Sequence, residues 1–107
     1  MLSDPVFHAF WQTLTLREKE VSVELKNTFE QAAEDVLKLT SAPDNTAKLK
    51  LYALYKQASK GDVSGSRPGI FDMVRRAKYD AWAEYSGMNT EEAMQKYIDL
   101  VEDLKKS

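Results

Sequence analysis

Apolar residues recur along most of the chain at steps of three and four, the period of an α-helix with one buried face. The clearest run is Met94, Tyr97, Ile98, Val101 and Leu104. It is preceded by Asn89-Thr90-Glu91-Glu92, a cap followed three residues later by Glu, and it closes with Lys105 and Lys106 at the negative end of the helix dipole. The spacing predicts a helix over roughly 90–105. Phe29, Ala32, Ala33, Val36 and Leu39 predict another over about 27–40. A third runs from about Asn45, after the breaker Pro43, to Lys60, with Gly61 as its stop. Asp72 can cap a fourth that reaches about Tyr85, with Gly87 beyond it and Met73, Ala77, Ala81 and Trp82 as its apolar face. Nothing alternates strongly enough to predict a sheet.

The first 24 residues form a separate unit. Asp4-Pro5 is a cap with proline at the first helical position, and Phe7, Phe10, Trp11 and Leu14 then fall on one face. Thr15 to Glu24 is polar, and the Val21/Val23/Leu25 alternation leaves its conformation open. We divide the chain into an extension over 1–24, with a short amphipathic helix, and a domain over 25–107. The first 16 residues contain Asp4 and no Lys or Arg, which does not fit a mitochondrial leader.

With 107 residues, 43% hydrophobic and 30% charged, the chain suits one globular core. No apolar run approaches the roughly 18–20 residues needed to span a bilayer, so integral membrane association is not expected. Cysteine is absent, which removes disulfides and thiolate chemistry. The net charge of −2 conceals an uneven distribution. From Lys48 to Lys78 eight basic residues face two acids, giving +6, while the remainder has seven bases against fifteen acids, giving −8. A basic middle in an acidic chain suits a compact polyanion, and equally a solvated basic face; it does not resemble a nucleic-acid footprint.

Candidate chemistry narrows quickly. His8 is the single histidine, so neither a histidine metal site nor a Ser-His-Asp triad has material to build on. The Gly61–Gly69 loop lacks phosphate-loop spacing, and Glu91 and Glu92, being adjacent, point to different sides of a helix. What remains is Tyr52, Tyr55 and Lys56 at i, i+3 and i+4, two phenols and an ammonium on one face. A ring can stack on a purine, and a lysine supplies countercharge to phosphate. By itself, such a triplet also describes a half-buried core face.

The surrounding order of motifs adds to this. Tyr52-Ala53-Leu54-Tyr55-Lys56-Gln57-Ala58 leads into Gly61-Asp62, then Arg67-Pro68-Gly69, Asp72, Ala77-Lys78-Tyr79-Asp80-Ala81-Trp82, Ala93-Met94 and Tyr97-Ile98-Asp99. In that order and spacing the chain resembles the acyl-CoA-binding protein (diazepam-binding inhibitor) family over about residues 27–106. The resemblance implies an all-α, up-down-down-up four-helix bundle, here with an extra N-terminal helical extension. It implies no enzyme activity, no catalytic residue, no metal and no cofactor, the ligand being a medium- or long-chain fatty acyl-CoA held for buffering and transport in the cytoplasm.

By the same resemblance Tyr52, Tyr55 and Lys56 meet the adenine and ribose 3′-phosphate, and Lys78 joins them. Tyr97 lies near the pantetheine and thioester, while Ala33 and Leu49, with Phe29 and Ile98, take wall or core positions of the acyl groove. Two family lysines are replaced, by Leu37 and Val74, and Tyr79 stands where tryptophan is usual. Arg75 or Arg76 could compensate for the missing charge, although one residue is about 100° of helical rotation. The competing reading is a ligand-gated protein-interaction module acting through the extension. The expected state is a monomer or a weak homodimer through that extension, with no nucleic-acid partner.

Overall fold

The computed structural model describes the backbone of residues 5–106 and the side chains of residues 19–106. Four helices carry the fold: α1 Pro5–Val36, α2 Asn45–Lys60, α3 Met73–Ala83 and α4 Thr90–Lys105. There is no strand among the described residues. The architecture is the expected all-α, up-down-down-up four-helix bundle, with the long connection 61–72 joining α2 to α3. α4 packs on α1 and α2, and α3 packs on α2.

Local chemistry sets the helix ends. Asp44 caps α2, its carboxylate accepting from the Ala47 N–H at 2.8 Å. Gly61 ends it with φ +83°, in the left-handed region that glycine enters without steric cost, and donates to Gln57 O at 3.1 Å. Asn89 caps α4 by accepting from the Glu91 N–H at 2.7 Å. Asp72 occupies the cap position of α3 but makes no side-chain cap bond; its carboxylate accepts from Arg75 at 3.1 Å instead.

Three expectations are corrected. The short N-terminal helix and the first bundle helix are one unbroken α1, 32 residues and about 48 Å long. The polar stretch 15–24 therefore continues the helix rather than interrupting it. At the other end α1 stops at Val36 rather than near 40, because Leu37, Lys38 and Leu39 tighten to bonds on the carbonyls of Glu34, Asp35 and Val36. Likewise α3 stops at Ala83, after which Tyr85 and Ser86 bond to Trp82 and Ala83 and lead to Gly87 at φ +90°. The aromatic stripe Phe7, Phe10, Trp11 and Leu14, and His8, lie outside the residues whose side chains are described.

The core joins Phe29 and Ala32 of α1, Leu51, Leu54 and Ala58 of α2, and Ala93, Tyr97, Ile98 and Val101 of α4. The expected face of α3 fares differently. Trp82 is buried, its indole N–H donating to Gly61 O at 2.8 Å, but Met73 is 75% exposed. Among the described helices α3 packs on α2 alone, so only part of its apolar face is covered.

Candidate functional site

The residues singled out in the sequence gather in two adjoining groups along α2. In the first, two ammonium groups stand over the Tyr52 ring, Lys78 Nζ at 5.4 Å and Lys56 Nζ at 6.0 Å from its centroid. Lys56 Nζ is also 5.0 Å from the Trp82 ring. These distances fall within the reach of cation–π attraction. Lys56 is fixed by its helical turn, whereas Lys78 arrives from α3 because that helix packs on α2.

The second group is aromatic. Phe29 stacks on Tyr55 with centroids 5.5 Å apart and meets Tyr97 edge-on at 5.2 Å, while Tyr55 and Tyr97 are 6.1 Å apart. α1, α2 and α4 each contribute one ring. Tyr97 is buried, and that burial, with Tyr55 beside it, raises its phenol above the ordinary tyrosine value. Tyr55 is the open member, 44% exposed. Ala33 packs against the core next to this group.

Leu49 takes a third place, between two surface cavities that α2 and α3 form together. One, of about 380 Å³, is lined by Asn45, Lys48, Leu49, Met73, Val74, Ala77 and Lys78. The other, of about 370 Å³, shares Leu49 and Ala77 and extends to Asp80, Ala81 and Tyr85. Lys78 therefore belongs both to the cation pair on Tyr52 and to the wall of an apolar groove. Trp82, Met73 and Ala77 had been read only as buried-face residues. The Tyr52–Lys56–Trp82 contact spans two helices, so no spacing could reveal it.

The three arginines between α2 and the middle of α3 have partners of their own. Arg67 holds Asp80 through two bonds, 2.8 and 2.7 Å, which lower the Asp80 carboxyl and raise the guanidinium. Arg75 is on Asp72 and Arg76 Nη1 reaches Pro68 O at 3.4 Å. Leu37 and Val74 are exposed, so the two replaced lysine positions present apolar side chains to solvent. No group of three acidic, histidine or cysteine side chains is placed to hold a metal ion among the described residues.

Comparison with known proteins shows the family and the fold. The family described as "Acyl CoA binding protein" matches residues 26–101. An acyl-CoA-binding protein of Brassica napus is 54% identical over 80 residues, which cover 75% of this chain and 87% of the relative. The crystal structure of acyl-CoA-binding protein 2 of Oryza sativa superposes with a TM-score of 0.76 at 45% identity, covering 79% of this chain and 92% of that one. Human enoyl-CoA delta isomerase 2 is 46% identical over 79 residues, which are 74% of this chain but only 20% of the isomerase. The chain belongs to the acyl-CoA-binding protein family.

Proposed function

We propose that the protein binds medium- and long-chain fatty acyl-CoA esters noncovalently, buffering and carrying them in the cytoplasm without transforming them. The observation that supports this reading best is Lys78, which joins a cation-flanked ring to an apolar groove. An acyl-CoA is built the same way, a phosphorylated purine nucleotide at one end and a hydrocarbon chain at the other. Tyr52, Tyr55, Lys56 and Lys78 take the nucleotide and its 3′-phosphate, Tyr97 the pantetheine and thioester, and Leu49 and Ala33 flank the acyl path. Each buried methylene contributes about 0.8 kcal/mol, before the ordering cost is subtracted.

Residues 25–107 constitute the binding domain, since among the described side chains core packing starts with Leu25 and Phe29 while residues 19–24 of α1 are exposed. Val21 and Val23 remain 62% and 58% exposed, which suits weak homodimer contact through the extension. No described helix is long and apolar enough to cross a membrane. Calorimetric titration with acyl-CoAs of several lengths, followed by chromatography of the recovered ligand, tests the whole reading. Saturable binding with intact ligand is expected; no binding, or turnover of the thioester, refutes it.

A further inference from the structure

The connection into α3 carries large apolar side chains where a turn ordinarily carries small or polar ones. Asp72 N–H donates to Gly69 O at 3.0 Å, closing a β-turn whose two central residues are Ile70 and Phe71. Such positions favour Pro, Asp, Asn, Ser and Gly. Here Ile70 is 65% and Phe71 96% exposed, and Met73 and Val74 immediately beyond are exposed too. Four large apolar residues within five positions, pinned by a hydrogen-bonded turn, form a hydrophobic projection that none of the described residues covers.

Its electrostatic setting is equally specific. Arg75 and Arg76 follow directly, and Lys48 and Lys78 stand on the cavity that Met73 and Val74 also line. The segment Lys48–Lys78 carries +6 in a chain of net charge −2. The nearest acid in sequence, Asp72, is paired with Arg75, which leaves Arg76, Lys48 and Lys78 as the excess charge around the projection. Apolar insertion flanked by cations is the pattern that holds proteins on anionic lipid surfaces. A second copy meeting this face through the same patch would set Lys48, Arg76 and Lys78 against their own counterparts, which argues against self-association there.

We propose that the Ile70–Phe71 turn, with Met73 and Val74 behind it, seats the protein peripherally on an anionic bilayer and places the α2–α3 groove at the lipid surface. An acyl chain leaving the bilayer would then enter the groove without crossing water. That cargo role rests on the acyl-CoA reading; the docking itself does not.

The test uses the full chain without ligand and extruded vesicles of phosphatidylcholine, with or without about 30% phosphatidylserine, in a sedimentation assay. The protein should pellet with the anionic vesicles, and Ile70→Ser/Phe71→Ser should lower the partition coefficient about tenfold or more. Because the chain has no cysteine, Phe71→Cys accepts a single environment-sensitive fluorophore, whose emission should shift to the blue on anionic vesicles. An unshifted label, a wild type that stays in solution, or a double variant that pellets like wild type overturns the proposal. So does a dimer, seen by ultracentrifugation without vesicles, that the double variant abolishes, since it assigns the patch to a second copy. Acyl-CoA titration in vesicle-free buffer reads the ligand-binding function separately.

Discussion

Gln57, fully buried on α2, donates to the backbone carbonyl of Met88, 31 positions away, at 2.9 Å, and with the same amide nitrogen to Asp62 Oδ1 at 2.9 Å. Asp62 in turn accepts from the Gly87 N–H at 2.7 Å. One side chain thus fastens the end of α2 to the turn between α3 and α4, while its own Oε1 has no partner among the described residues. Truncation removes two bonds, strands the Met88 carbonyl and leaves a cavity. Gln57→Ala should cost about 2–4 kcal/mol in urea unfolding, and Gln57→Leu less because it fills the space. Equal midpoints for wild type and Gln57→Ala would refute this.

The same network predicts a pH dependence. The Gly87 N–H, foremost, and the Gln57 amide hold the Asp62 carboxyl below its ordinary value. Lys105, foremost, with Gln31, does the same for Asp35 through a 2.8 Å ion pair between α4 and α1. A carboxyl depressed by folding stabilises the native state above its unfolded pKa of about 3.9, and that contribution is lost as pH falls through the lower folded value. Melting temperatures should therefore drop below about pH 4. Asp62→Asn should melt lower than wild type at pH 7, and the gap should narrow toward pH 2.5. A gap independent of pH would mean that ionisation of Asp62 is irrelevant.

Helices whose caps and stripes lie close together in sequence were the legible part of the fold. α4 matches its expected limits because Asn89 and Lys105 mark them, and α2 runs from Asn45 to Lys60 as its breakers indicate. The continuity of α1 was not legible, since Thr15 to Glu24 offers no apolar stripe and Val21/Val23 mimics alternation. Met73 shows a second limit. Periodicity tells which face of α3 is apolar, but only packing decides whether a neighbour covers it. In the site, Tyr52 and Lys56 share a face by spacing; Lys78, on the next helix, could converge on them with no spacing to fix it, and Tyr97 enters only through resemblance to a family. Their convergence depends on α3 and α4 docking against α2.

Lys56 should act on one end of the ligand. Its ammonium sits over Tyr52 and Trp82, and the proposed partner is the ribose 3′-phosphate. Lys56→Ala should weaken palmitoyl-CoA binding by about 1–3 kcal/mol, the range of a charge-assisted bond. Against the 3′-dephospho ester the same substitution should cost much less, and the difference in this cycle measures the contact. Identical losses for both esters would place Lys56 elsewhere on the ligand.

The groove makes the complementary prediction about chain length. If Leu49 and Ala77 flank the acyl path between the two α2–α3 cavities, affinity should climb with each methylene and level off once the groove is full. The best ligands should have about twelve to twenty carbons, with increments of up to about 0.8 kcal/mol per methylene below that length. Ala77 is half-buried and stands in both walls, so Ala77→Phe should fill the shared space without disturbing the core. Its effect should be selective: affinity for acetyl-CoA stays near wild type, because Tyr52, Lys56 and Lys78 are untouched, while the climb with chain length stops several carbons earlier. Calorimetry across acetyl, octanoyl, lauroyl and palmitoyl esters distinguishes the outcomes. A uniform loss at every length would mean that the substitution distorts the nucleotide end. A wild-type series with no length dependence would mean that the hydrocarbon does not enter this groove at all.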